Sequence, residues 1–205
     1  KDKITIDFGS ILEFGSLAKV VSKADIIINC AASTSHSRSM AEPFFDLDVN
    51  IKGVLNILEC IKRFNKKSKF IHLGTTTQMG VLRHIPADEN HSEFPTDIYS
   101  TNKSVSEKYV LIYANAYDLD CSVLRLSNTY GPRASIHSPE FTFNNYFIGQ
   151  CLKDQPISIY GEGKQKRSLI YIDDAINAIV KAIGAPKIKG ETMIIGSDKI
   201  ISVAK

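Results

Sequence analysis

Nowhere in the 205 residues does the sequence offer 18 consecutive apolar positions, so no membrane-spanning helix is expected. The opening Lys1-Asp2-Lys3-Ile4 also lacks the apolar run of a signal peptide. Cysteine is sparse: Cys30, Cys60, Cys121 and Cys151 lie far apart and form no C-x-x-C pair, which argues against a zinc site, any other metal site and a small disulfide framework. An excess of one charge is missing too. The 25 Lys and Arg against 22 Asp and Glu leave a net charge of +3, too small and too scattered for a nucleic-acid partner. The densest basic stretch is Lys62, Arg63, Lys66, Lys67 and Lys69; it follows a segment of helical period and reads as a solvated helix C-terminus. These absences leave a soluble, cytoplasmic protein with reduced thiols as the expectation.

What is present is alternation. Residues 4–8 read as a short strand, Phe14–Val21 as a helix, and residues 25–30 (D-I-I-I-N-C) as a buried parallel strand. Leu47, Ile51, Leu55 and Leu58 then recur at helical spacing within a periodic segment over 42–61. A strand over 69–73, a polar stretch through Pro95, a helix over 96–116 and a strand at Cys121–Leu126 follow. Parallel neighbours need a crossover and helices supply it, so the order predicts an α/β fold with a doubly wound parallel sheet. After Gly131-Pro132 the pattern becomes irregular: a helix over 141–152, short strands over 157–160 and 169–171, and a helix over 173–183. The expected division is a nucleotide-binding domain over 1–132 and part of a smaller substrate lobe over 133–205, with strands and a helix returning to the core.

Two constellations carry chemistry. Tyr99-Ser-Thr-Asn-Lys103 opens a predicted helix, and the i, i+4 spacing places phenol and ammonium on one face. A fixed cation beside a phenol favours the phenolate, so Lys103 together with a cationic nicotinamide ring is expected to lower the Tyr99 pKa and make it a base. Taken alone, Y-x-x-x-K also describes an ordinary exposed helix pair. The second constellation is Thr75-Thr76-Thr77, which ends the strand Phe70-Ile-His-Leu-Gly74 where a parallel sheet opens into a ligand crevice. Its plain alternative is that β-branched residues merely extend the strand.

With their companions, these motifs resemble the extended short-chain dehydrogenase/reductases, specifically the UDP-glucose 4-epimerase-like enzymes of the NAD-dependent epimerase/dehydratase family. Asn29-Cys-Ala-Ala32 is similar to the family's strand end beside the cofactor, and Asp48-Val-Asn50-Ile-Lys-Gly53 to its "x-V-N-x-x-G" helix. Arg125-Leu-Ser-Asn128-Thr-Tyr130-Gly131-Pro132 is similar to "R-x-x-N-x-Y-G-P". The stretch from Tyr160 through Arg167 to Asp174 is similar to "Y-G-D-G-x-Q-x-R-D-x-I-x-V-D-D". The resemblance implies that Tyr99 is the general base, that Thr75 shares its hydrogen bond and that Lys103 holds the cofactor ribose. It further implies that Ser10, Ile11, Ala31, Ala32, Asn50 and Ser127 border NAD, and that Thr76, Asn128 and Arg167 meet a nucleotide-diphosphate sugar. A guanidinium suits a diphosphate because its planar donor fork engages phosphate oxygens in pairs; the bland reading of Arg167 is one more cation in a basic run. A homodimer through the helical segments 42–61 and 96–116 is implied for the full-length form.

Departures from the family pattern sharpen these expectations. None of the 12 glycines forms the G-x-x-G-x-x-G turn that binds pyrophosphate at a helix N-terminus. A Rossmann-like sheet lacking its first βα units is therefore expected, cut at the other end as well. The acidic residue that separates NAD from NADP belongs to the portion not present, which leaves NADP open beside NAD. The adenine-facing carboxylate of the family aligns with Ser10. Where dehydratases carry Asp-Glu or Ser-Glu after the catalytic Thr, this chain has Thr76 and Thr77, neither a competent acid or base near neutrality. Epimerisation through a transient keto-sugar is the expected chemistry; reduction or 4,6-dehydration of a sugar nucleotide and a non-catalytic Rossmann-like binding protein are the alternatives. Asp88, Glu89 and Glu93 replace the missing carboxylates only if their loop folds back.

Overall fold

The computed structural model describes residues 4–159 and 161–204. The chain runs α1 (Phe14–Val21), β1 (Ile26–Asn29), α2 (His36–Ala41), α3 (Pro43–Leu47), a π-helical turn (Asp48–Lys52), α4 (Gly53–Phe64) and β2 (Lys69–Thr75). A 3-10 turn (Thr76–Met79), α5 (Ile98–Ala116), β3 (Cys121–Leu126), β4 (Asn128–Tyr130) and α6 (Phe143–Leu152) come next. The chain finishes with β5 (Lys166–Tyr171), α7 (Ile172–Gly184), β6 (Thr192–Ile195) and β7 (Ile200–Ser202). Strands β1, β2, β3 and β6 form one sheet in that order, every pairing parallel. A smaller sheet orders β4, β5 and β7, with β4 parallel and β7 antiparallel to β5.

Side-chain alternation along β2 and β3 explains why helices cover both faces. Phe70, Cys121 and Val123 point into a cluster with Leu58 and Ile61 of α4 and Val110 and Tyr113 of α5. Ile71 and Leu124, one residue out of phase, pack instead against Ala182 of α7. Each fully buried side chain of this kind contributes about 1.5–3 kcal/mol relative to exposure. The doubly wound expectation holds. Close approach of the turn before α1 to α4 depends on Gly53: a Cβ there would lie 2.3 Å from Cδ1 of Ile11.

Lys69 shows what one member of the basic stretch does. Its Nζ donates to the carbonyls of Ala182 (3.4 Å) and Ala185 (2.8 Å), capping the C-terminus of α7. Lys62 and Arg63 pair with Glu59 within α4, as a helix end would have them. No described helix is long and apolar enough to cross a membrane.

Three expectations need correction. Residues 4–8 form no strand, and Ile4, Ile6 and Phe8 are 84%, 74% and 97% exposed. An extended segment becomes a strand only beside a partner, and β1 pairs with β2 alone among the described residues. The strand expected over 157–160 is likewise irregular through Ile159, with no strand pairing among the described residues, and Tyr160 falls outside them. The periodic segment over 42–61 is helical from Pro43 onward, as expected, but it carries a π insertion at Asp48–Lys52, between α3 and α4, that the period does not show.

Candidate active site

The C-terminal end of β2 organises the site. Thr75 leaves the strand with its Oγ1 accepting from the Thr77 amide at 3.2 Å, so it caps the 3-10 turn that follows. Gly80 closes that turn at φ +59, with Phe94 bridged so tightly that a Cβ would fall 1.7 Å from the Phe94 carbonyl oxygen. The loop then returns to Asp97, whose Oδ1 accepts from the Ser100 amide at 2.7 Å and starts α5. One turn separates Tyr99 from Lys103, and both are buried, at 8% and 3% exposure. The Thr75 side chain acts on the Tyr99 phenol and favours its anion. Lys103 Nζ donates to the Leu73 carbonyl at 2.8 Å and lies 3.2 Å from Nε2 of His72. Thr75, Tyr99 and Lys103 thus converge on the last residues of one strand.

Their electrostatics differ from the sequence expectation. Burial pushes the Tyr99 phenol up to about 12; Thr75 opposes this, while the charges of Asp46 and Asp97 add to it. Burial therefore outweighs every lowering influence on the phenol. The Lys103 ammonium itself donates to the Leu73 carbonyl. Burial brings Lys103 down to about 8, against the raising charges of Glu107, Asp46 and Cys30. His72, fully buried, is held well below its ordinary value by burial and by the Lys103 charge.

A second group of residues fixes the loop after β1. Asn50, at the centre of the π turn, accepts from the Ser33 amide (3.2 Å) and donates to the Ser33 carbonyl (2.9 Å) and to Asp46 Oδ1 (2.9 Å). Asn102 of α5 donates to the same Asp46 oxygen at 2.8 Å. Asn29 turns its Oδ1 back to the Ala31 amide (3.1 Å) and its Nδ2 toward His72 Nδ1 (3.1 Å). Ala31 and Ala32 therefore sit on a backbone tethered from three elements. Ser10 and Ile11 belong to a different neighbourhood: Ser10 Oγ accepts from the Leu12 amide, and Ile11 packs against α4, its carbonyl taking the Asn56 side chain at 2.9 Å.

A cleft of about 1010 Å³ opens from the ends of β2 and β3 toward the second sheet. Thr76, Ser127, Asn128 and Arg167 all line it. Arg167 is exposed, its guanidinium donating only to the neighbouring Lys166 carbonyl at 2.9 Å among the described bonds. Ser127 Oγ is buried without a hydrogen-bond partner among the described residues. That orphaned hydroxyl, with the third N–H of Lys103, fits a ligand rich in hydroxyl and amide groups, as a dinucleotide is.

Sequence reasoning missed several residues of this site. Asp46, Asn102 and His72 are buried hydrogen-bonding partners whose identity depends on contacts far along the chain. His36 and Asp97, 2.9 Å apart on the cleft wall, were also missed; only the D-I-Y-S capping pattern at Asp97 could have signalled one of them. Glu93 and Glu107, by contrast, hold Arg125 in a buried network beside a separate cavity of about 620 Å³.

The model of the NAD dependent epimerase/dehydratase family matches residues 1–196. A putative UDP-glucose 4-epimerase of Methanocaldococcus jannaschii is 33% identical over 180 residues, covering 87% of this chain and 57% of the relative. The UDP-glucose 4-epimerase of Thermotoga maritima, solved with UDP-glucose, superposes with a TM-score of 0.88 at 27% identity, over 96% of this chain and 63% of that one. The UDP-glucuronic acid 4-epimerase of Bacillus cereus, solved with UDP-glucuronic acid and NAD, gives 0.85 at 30% identity, over 96% and 61%. The chain thus spans somewhat more than half the length of the relatives it matches.

Proposed function

Because this chain belongs to the NAD-dependent epimerase/dehydratase family, we propose that its protein epimerises a nucleotide-diphosphate sugar through a transient ketone, with Tyr99, Thr75 and Lys103 as the catalytic group. One observation carries the reading: a phenol, a hydroxyl and an ammonium converge at the end of β2, with hydroxyls rather than carboxylates at the next two positions. Tyr99 takes the proton of the sugar hydroxyl that becomes the carbonyl, and Thr75 shares that hydrogen bond. Lys103, anchored on Leu73, keeps a free N–H for the cofactor ribose. Ala31, Ala32 and Ser127 border the cofactor, with Asn50 holding their loop; Thr76, Asn128 and Arg167 receive the sugar diphosphate. NAD, when bound, supplies a reversible hydride acceptor and a positive charge.

A phenol near 12 accepts no proton at neutral pH without further stabilisation of its anion. Thr75 contributes to that stabilisation, and a cation brought close to the ring acts in the same direction. The sugar ketone, re-reduced on its opposite face, leaves inverted. Dehydration requires an acid to expel water, and the acids of the preceding loop are committed elsewhere: Glu93 to Arg125 and Gln78, Glu89 to the Ile194 amide, Asp88 to the Asn90 amide. This favours epimerase over dehydratase.

The full-length protein, incubated with UDP-glucose and NAD, is expected to yield the epimer by NMR with no net NADH. Formation of a 4-keto-6-deoxy sugar, or stoichiometric formation of NADH, would overturn the proposal.

A further inference from the structure

We infer that His36 is a sugar-contacting, specificity-determining residue, and that the hexose it receives presents neutral hydroxyls rather than a carboxylate. The inference rests on the epimerase reading and deepens it.

His36 begins α2 and lines the cleft with its side chain 42% exposed. Its Nδ1 lies 2.9 Å from Asp97 Oδ2, and its ring meets the Tyr99 ring edge to face at 4.8 Å between centroids. Asp97 is itself immobilised, since the Ser100 amide and hydroxyl bond to its two oxygens at 2.7 and 3.2 Å. The Tyr99 amide donates to Ser39 Oγ at 3.1 Å, fastening α2 to the start of α5. The imidazole is thus held on a rigid base beside the phenol that handles the sugar proton.

A carboxylate that accepts from Nδ1–H fixes the tautomer in which Nε2 carries the lone pair. Nε2 has no partner among the described residues, so it is an acceptor available to the cleft. Its companions on this wall are hydroxyls, those of Ser37, Thr76, Thr77 and Ser100. The lysine and arginine that line the cleft, Lys166 and Arg167, belong to β5 in the other sheet. Arg38 faces away, bonded to Glu42 at 3.0 Å and stacked over Phe45 at 4.2 Å. A sugar carboxylate at this end would meet Asp97 with no Lys or Arg to compensate it, which is costly in a partly desolvated site. A sugar hydroxyl donates to Nε2 at no such cost, and a site built around that bond discriminates against a group that cannot make it.

The test uses full-length protein with UDP-glucose and UDP-glucuronate as probes, each measured for turnover and, separately, for binding by calorimetry. Wild type is expected to prefer UDP-glucose in kcat/KM by roughly tenfold or more. His36→Leu is expected to remove most of that preference, chiefly by raising KM for UDP-glucose, and His36→Gln, whose amide oxygen also accepts, to restore part of it. On unmodified protein, ¹⁵N spectra of labelled histidine should show Nδ1 protonated, with the Nε2 signal moving upfield on addition of UDP-glucose but not of UDP. A preference for UDP-glucuronate with epimerisation intact would overturn this inference alone, as would an unchanged KM in His36→Leu with an unperturbed Nε2 signal. Should neither sugar nucleotide be epimerised while UDP-glucose still binds in a His36-dependent manner, the epimerase reading falls and the contact stands.

Discussion

At Tyr99 the hydroxyl is acted on by Thr75 while the ring is buried against the β2 terminus, so removing the oxygen alone separates chemistry from packing. Tyr99→Phe is expected to lower kcat by about a thousandfold, within the range for a lost acid-base group. Its thermal midpoint should move by only a few degrees, because one neutral hydrogen bond is worth about 1 kcal/mol. Steady-state kinetics and a melting curve on the same preparation check both halves; a large loss of stability with near-normal kcat would assign the phenol to the core. The i, i+4 spacing of Tyr99 and Lys103 was legible in the sequence because helix geometry alone sets it. The charge state was not. It follows from burial, which lowers Lys103 against the charges of Glu107, Asp46 and Cys30, groups brought together from distant parts of the chain. The same holds for His72, whose neutrality follows from being enclosed by Asn29, Lys103 and Ser106.

Between α3 and α4 the π turn widens the helix by one residue, and its central Asn50 is fully buried while satisfying both backbone groups of Ser33. Such turns recur at functional sites because they redirect one side chain without ending the helix. Asn50→Leu keeps the branching, in a larger side chain, but strands the Ser33 amide and carbonyl and one Asp46 bond. A loss of about 2–4 kcal/mol is expected, read as a lower urea midpoint, together with weaker NAD binding by the full-length protein as the loop over 30–35 loosens. Unchanged stability would mean that the loop is held without the asparagine. Strands β1, β2 and β3 could be read from sequence because each is an apolar run between polar stretches, and β2 and β3 send alternate residues to both helical layers. The π turn could not, since the apolar period of Leu47, Ile51, Leu55 and Leu58 is nearly the same with or without one inserted residue. Residues 4–8 carry a strand's composition without a strand's partner, and composition alone does not supply the ladder.

Across the whole molecule, the groups that prepare the site also set how stability responds to alkali, and they act in opposite directions. Burial raises Tyr99 and Cys121 each to about 12, so the folded chain keeps protons that the unfolded chain releases, and stability falls as pH rises past their ordinary values. Lys103 does the reverse. Its folded value near 8 lies below the ordinary lysine value near 10.4, so between those limits the unfolded chain binds more protons and stability rises with pH. From pH 8 to pH 10 this single group should add about 2 kcal/mol. The net curve of the wild type mixes these with the other raised groups, Tyr113, Cys30 and Cys60, but the difference between wild type and Lys103→Met is dominated by the lysine, because the other groups remain in both proteins and its charge acts only secondarily on Cys30 and His72. Urea unfolding of the two proteins at pH 8 and pH 10 should therefore show the wild type gaining on the variant by about 2 kcal/mol. A constant difference would mean that Lys103 ionises as it does in water, and so that it is not sealed beneath the sheet edge where the phenol and threonine meet.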